Sequence, residues 1–161
     1  MAEFDLKRVT PLEWAGIGGG ALAFIVSFFP WYSVDYAGFG GSLNAWSTGA
    51  LALLSVLLML AAGGAVLAPH LGVKIDRLPL IWLALSGLAT VFILIQWLIL
   101  PDDGGIGDFG GGLLGDTGID SGAGFGLVVG LILAAASTAA AFLTFRAAPK
   151  TAPGGTNPAA A

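Results

Sequence analysis

Four long apolar runs, separated by short polar segments, dominate the sequence. They predict helices over about residues 11–29, 47–68, 79–100 and 123–145, whose interiors contain no charged side chain. An α-helix rises about 1.5 Å per residue, so each run reaches roughly across the 30 Å hydrocarbon core of a bilayer. The pattern therefore predicts an all-α membrane protein, with a four-transmembrane-helix bundle over residues 11–146.

Local signals mark the ends of these helices. Thr10-Pro11-Leu12-Glu13 has the pattern of a capping box, in which Thr10 caps the first helix and Glu13 bonds back to it. Asn44 or Ser47 can cap the second helix. Each of the first three runs stops before a proline, and these are Pro30, Pro69 and Pro101. Because proline cannot continue a helix, the helices are expected to end there.

The composition supports membrane insertion. Of the 161 residues, 57% are hydrophobic and only 10% are charged, and the mean hydropathy is +0.91. Soluble domains carry about 25% charged residues, so a water-soluble fold would lack polar surface. The chain has no cysteine, which excludes disulfides and thiolate metal sites. With a net charge of −4 it is not expected to bind nucleic acid.

The basic residues fall in three segments that four spans would place on one side of a membrane. They are Lys7, Arg8, Lys74, Arg77, Arg146 and Lys150. By the positive-inside rule this side is cytoplasmic. We therefore expect a multi-pass plasma-membrane protein with both termini inside (N-in, C-in). Residues 1–10 then form a cytoplasmic leader, 147–161 a disordered cytoplasmic tail, and two extracytoplasmic loops connect the helices outside.

The first outer loop is rich in aromatic residues. Its alternating pattern around Trp31–Tyr36 and its glycines permit a short β-hairpin. Trp and Tyr rings favour the membrane–water interface because they combine an apolar body with a polar tip. The predicted contact surface of the two outer loops comprises Trp31, Tyr32, Tyr36, Phe39, Trp46 and Phe109.

The second outer loop is acidic and rich in glycine. Its carboxylates are weak candidates for a divalent cation such as Ca²⁺, against the alternative of a solvated acidic loop, and they are Asp102, Asp103, Asp108, Asp116 and Asp120. Two Asp-Thr/Ser-Gly triplets begin at Asp116 and Asp120 and match the aspartic-protease signature. They stand only four residues apart, so two successive Asx turns are the favoured interpretation. No enzyme activity and no cofactor are expected.

Small residues indicate how the helices pack. Lipid offers no hydrophobic drive between helices, so they associate through close approach over small side chains. The predicted packing positions are Gly16, Gly20, Gly126, Gly130, Ala134 and Thr138, and they are expected to join the first and fourth helices. The strongly polar residue of the third run is Gln96, which either lines a polar pocket or bonds to a neighbouring helix.

Two short motifs carry a resemblance to a family. With Phe29-Pro-Trp-Tyr-Ser after the first helix and Asn44-Ala-Trp46 before the second, the chain resembles the uncharacterised small four-span membrane proteins of actinobacteria. The resemblance covers the spans and the first loop. It implies an architecture and no active site.

These observations favour a non-enzymatic scaffold or accessory subunit of a membrane complex. Its outer loops would contact a membrane-protein partner or a second copy of the chain, with the lipid bilayer as its surroundings. The alternative is a membrane protein that binds lipid or a small solute in an outward cleft near Gln96, with Trp31 and Trp46 at the rim. A hydrolase using Asp116 and Asp120 is the weakest hypothesis.

Overall fold

A computed structural model of the chain describes residues 6–36, 38–99 and 119–148. Its helices are α1 (Pro11–Val26), α2 (Ala45–Thr48), α3 (Ala50–Leu67), α4 (Leu78–Ile99) and α5 (Phe125–Ala147). Its strands are β1 (Pro30–Tyr36), β2 (Phe39–Asn44) and β3 (Ile119–Ala123). Short 3-10 helices cover Leu6–Arg8 and Ala68–Leu71.

The long helices form a ring of four. Helix α1 packs against α3 and α5, and α4 packs against the same two helices from the other side. Within the described part of the chain, three helical segments are long and apolar enough to cross a membrane: Ala50–Leu71, Leu78–Ile99 and Phe125–Ala147. Helix α1 is also apolar but has 16 residues, which corresponds to about 24 Å. The described residues are thus mainly helical, with three helices of membrane-spanning length and a small sheet.

Helix α1 begins where the sequence predicts and ends three residues early. The capping box is present, with the Thr10 backbone N–H 2.8 Å from Glu13 Oε2 and the Glu13 N–H 3.3 Å from Thr10 Oγ1. The helix stops at Val26, before the predicted end at 29. The N–H groups of Phe28 and Phe29 bond three residues back, to Ile25 and Val26, in a tightened last turn. The chain is therefore already leaving the helix when it reaches Pro30.

The second predicted helix is divided at Gly49. Asn44 caps the short helix α2, since its Oδ1 accepts from the Ser47 N–H at 3.2 Å. Gly49 then adopts an extended conformation, with φ 159° and ψ 168°, and α3 starts at Ala50. The single helix predicted over 47–68 is thus a short helix, an extended residue and a long helix.

The three strands form an antiparallel sheet in the order β2-β1-β3. The β1–β2 hairpin confirms the prediction for the first loop, with Tyr36 opposite Phe39. On the other edge of β1, Ser33 stands opposite Gly122 of β3. The predicted all-α class is therefore incomplete, because the structure also contains this three-stranded sheet. The triplet that starts at Asp120 lies in a strand, which corrects the predicted Asx turn at this position. Strand propensity depends strongly on context, and here β1 supplies hydrogen-bond partners to a polar, glycine-containing segment.

The glycine contacts correct the predicted pairing of helices. Gly16 faces Trp82 of α4 and Val66 of α3, while Gly20 lies against the Met59 carbonyl and Gly63 of α3. Of the two positions on α1 that were expected to meet the fourth apolar helix, Gly20 therefore lies against the second and Gly16 mainly against the third. Helix α1 meets α5 through Gly19, whose Cβ, if present, would be 3.6 Å from the Ser137 Cβ.

Two hydrogen bonds, one buried and one partly buried, join α4 to α5. The Trp82 Nε1–H donates to Ser137 Oγ at 3.0 Å, and the hydroxyls of Thr90 and Thr138 are 3.1 Å apart. Thr138 therefore lies at a helix–helix contact, as predicted, but the helix that it contacts is α4 and not α1. Ala134, on the same helix, is fully buried in the core.

Candidate functional site

The sheet marks one end of the bundle. Strand β1 follows the end of α1, β2 leads into α2 and α3, and β3 leads into α5. At this end, which we call the sheet end, the Ala45 N–H bonds to the Ser27 carbonyl and the Gly124 N–H to the Trp31 carbonyl. The end of α4 also lies here, since Gln96 contacts Gly49.

The opposite end, which we call the turn end, contains the α3–α4 turn. There His70 Nε2 lies 3.6 Å from Glu13 Oε1, which links the end of α3 to the start of α1. Because consecutive long helices are antiparallel, the lysine and arginine side chains of the described residues all lie at the turn end. They are Lys7, Arg8, Lys74, Arg77 and Arg146. The bundle therefore has one basic end and one aromatic, acidic end.

Trp31 lies inside the protein at the sheet end. Its side chain is 1% exposed, and its Nε1–H donates to the Val26 carbonyl at 3.1 Å. The indole lies over α5, where a Cβ on Gly126 would stand 2.5 Å from Trp31 Cδ1, and one on Gly130 would stand 3.1 Å from Cζ2. The prediction that Trp31 belongs to a contact surface or a cleft rim is therefore wrong. The small residues of α5 that suggested helix packing accommodate this ring instead.

An aromatic cluster covers the outside of the sheet end. Trp46 is 42% exposed and its Nε1–H donates to Ser27 Oγ at 3.0 Å. Its ring stacks with Phe28 at a centroid distance of 5.9 Å and meets Phe24 edge-on at 6.4 Å. An aromatic side chain whose N–H group is hydrogen-bonded while its ring is exposed is typical of a membrane–water interface.

Strand β2 provides the most exposed surface of the sheet. Residues 39–43 are all exposed, and Phe39 presents 85% of its surface. Tyr32 on β1 is half-buried. Among the described residues β2 has no strand on its second edge, so its backbone groups there remain open to a further chain. Of the other predicted contact residues, Tyr36 is described only through its backbone, in β1, and Phe109 lies outside the described residues.

Gln96 lies in the wall of the bundle at the sheet end. Only 7% of its surface is exposed. A Cβ on Gly49 would be 3.3 Å from both Gln96 Nε2 and Oε1, so the amide abuts the extended residue before α3. The structure thus places Gln96 beside the start of a neighbouring helix, α3.

The acidic candidates are mostly outside the described part of the chain. Asp102, Asp103, Asp108 and Asp116 lie in the segment 100–118, which the structure does not describe. The backbone of Asp120 stands opposite that of Asp35 in the β1–β3 register. Within the described residues no group of three or more His, Cys, Asp or Glu could hold a metal ion.

Comparison with known proteins gives no match to a protein-family model, to a curated protein or to a solved structure. Two residues of the sheet end, Ser27 and Gly49, were not identified from the sequence as site residues. Ser27 sits two residues before Phe29-Pro30, and Gly49 separates the polar pair Ser47-Thr48 from the apolar run that begins at Ala50; both are weak signals by themselves.

Proposed function

We propose that the chain is an integral, multi-pass plasma-membrane protein in which all four long helices span the bilayer. Three helices of sufficient length support this, together with the packing of α1 among them. The basic turn end would face the cytoplasm, with both termini inside, by the positive-inside rule. This arrangement agrees with the resemblance to small actinobacterial four-span proteins, which stays part of the proposal.

Within that membrane, the favoured role is a non-enzymatic scaffold or accessory subunit. The observation that carries it is the exposure of β2, whose residues 39–43 face outward with Phe39 85% exposed. An edge strand without a charged residue or proline offers unpaired N–H and C=O groups to a partner strand. The proposed contact surface comprises Phe39, Tyr32 and Trp46, without the buried Trp31.

A pull-down in mild detergent tests this role. The Phe39→Ser variant is expected to lose a stoichiometric membrane-protein partner, or the self-association, that the unaltered chain retains. Leu71→Ser is the matched control, because Leu71 is 54% exposed at the turn end. Equal retention by the unaltered chain and Phe39→Ser, or equal loss in both variants, would contradict a role of β2 in partner contact.

The second candidate function is the binding of a lipid or small solute at the sheet end. It is favoured by Gln96, a polar residue of an apolar helix that is 7% exposed and whose amide abuts Gly49 at the start of α3. A polar side chain in an apolar wall is costly unless a partner satisfies it. A ligand group that reaches the end of α4 would provide that partner.

A further inference from the structure

We infer that the α3–α4 turn binds the headgroup of an anionic phospholipid, with Arg77 and Lys74 as its cationic contacts. This inference rests on the proposed membrane-spanning arrangement and adds a ligand class at the turn end. The position of Arg77 carries it, because the fold itself does not require an arginine side chain there.

Arg77 has a left-handed backbone conformation directly before α4. Its φ is 58°, and among the described residues it is the one non-glycine residue with a positive φ. The same turn also bends at Gly72, with φ 86°, where the sequence supplies the residue type that this conformation favours. At position 77 a Cβ crowds the following carbonyl, so the arginine adopts this conformation at a cost in free energy.

Arg77 takes part in the fold through its backbone. Its carbonyl accepts from the N–H groups of Leu80 and Ile81 at 2.9 and 3.1 Å, which starts α4. Any residue offers this carbonyl, and glycine or asparagine would offer it with less strain. The Arg77 side chain is exposed. An arginine at this position is therefore better explained by a contact outside the protein than by the fold.

The charge around the turn favours an anionic ligand. Among the described residues, the turn end has five lysine and arginine side chains and two carboxylates, Glu13 and Asp76. Glu13 already accepts from the Thr10 N–H at 2.8 Å and from the Thr10 hydroxyl at 2.9 Å. Asp76 lies between the exposed Lys74 and Arg77, so the turn itself has two positive charges against one negative. Lysine and arginine both bind phosphate oxygens, and arginine can do so with two parallel N–H groups.

The turn also borders apolar surface. Leu71 and Val73 are each 54% exposed within it, and Leu80, in the first turn of α4, is 44% exposed. In the proposed arrangement these side chains face lipid, while the cations of the turn lie at the depth of the phosphate groups. A phospholipid presents an anionic headgroup together with apolar chains, whereas a soluble phosphate presents only the anion. The occupant that fits this surface is therefore a lipid.

Native mass spectrometry of the full, delipidated chain in detergent tests the inference. Phosphatidylglycerol, which is anionic, is offered against phosphatidylcholine of the same acyl chains, which is zwitterionic. The unaltered chain is expected to bind phosphatidylglycerol more tightly. Arg77→Gln is expected to weaken this binding about fivefold, the effect of one cation near a charged lipid surface. Binding of phosphatidylcholine should not change.

Arg77→Gly separates a ligand role from a structural role. Because glycine relieves the left-handed strain, the melting temperature of this variant in lipid-free detergent should equal or exceed that of the unaltered chain. Its affinity for phosphatidylglycerol should nevertheless fall as it does in Arg77→Gln. Arg77→Lys keeps the charge and should retain most of the binding. A lower melting temperature for Arg77→Gly with unchanged lipid binding would show that the arginine serves the fold, and would overturn the inference.

Arg146→Gln is the matched control, because Arg146 is an exposed cation of the same end, with its guanidinium carbon 5.6 Å from the centre of the Phe142 ring. Equal weakening by Arg77→Gln and Arg146→Gln would indicate attraction to the whole basic end and overturn the site at the turn. Equal binding of both lipids by the unaltered chain would overturn the inference and leave the membrane-spanning arrangement intact. A chain that does not fractionate with cell membranes would overturn that arrangement as well.

Discussion

At the scale of single residues, the glycines of the bundle differ in what they contact. Gly126 and Gly130 of α5 leave space for the Trp31 indole, and Gly20 allows α1 to approach Gly63 of α3. Gly18, on the same helix as Gly20, has nothing within 4 Å of a Cβ added to it. Spacing along the sequence does not separate these cases, because each contact is made with a distant residue.

A pair of alanine substitutions tests this difference. Gly126→Ala is expected to destabilise the protein by about 1–3 kcal/mol, the usual cost of overpacking a core, because its Cβ would stand 2.5 Å from Trp31 Cδ1. Gly18→Ala is expected to be neutral or stabilising by up to about 1 kcal/mol, since alanine favours the helix. Thermal unfolding in detergent, followed by tryptophan fluorescence, measures both. Equal melting temperatures for the two variants would refute the proposed role of the Trp31 contact.

At the scale of elements, the two ends of α1 have different origins. Its start depends on Thr10 and Glu13, which are three positions apart. Its end depends on the tightened turn at Phe28 and Phe29 and on Trp31, which bonds back to the Val26 carbonyl. The first is a local signal that can be identified in the sequence, whereas the second also requires the indole to be held in place by α5.

Removal of the cap is predicted to loosen the start of α1. Thr10→Val removes the hydroxyl that accepts from the Glu13 N–H and should cost about 1 kcal/mol. Hydrogen exchange in the first turn of α1 should therefore become faster. Thr144→Val serves as the control, because the Thr144 hydroxyl only bonds to the Ala140 carbonyl within α5. Unchanged exchange in α1 on Thr10→Val would show that the cap does not hold this end.

At the scale of the whole molecule, the antiparallel ring separates two chemically different ends. The sheet, Trp46 and Gln96 lie at one end, and the described basic side chains lie at the other. The apolar helices between them have the composition of membrane spans. The proposed orientation, with the sheet end outside, follows from this separation and from the positive-inside rule.

Cysteine labelling tests the orientation, because the natural chain has no cysteine. Ser42→Cys lies in the exposed strand β2, and Val73→Cys lies at the turn end, where Val73 is 54% exposed. A membrane-impermeant maleimide added to intact cells should label Ser42→Cys, and should label Val73→Cys only after permeabilisation. Labelling of both variants in intact cells, or the reverse pattern, would contradict the proposed orientation.

The sequence by itself determined the features that depend on neighbouring residues or on summed composition. These are the apolar helices, the capping box at Thr10 and the β1–β2 hairpin. It also located Gln96 near one end of its helix. Such signals are available locally because helix caps, turns and hydrophobic runs involve residues only a few positions apart.

Only the tertiary structure decided which distant groups meet. It buried Trp31 on α5, placed Gly20 against α3, added β3 to the hairpin and set Gln96 beside Gly49. The physical reason is that a small residue or an aromatic ring has no intrinsic partner. Its contact depends on how four helices close into a ring, and many arrangements of the same apolar faces have similar local energies.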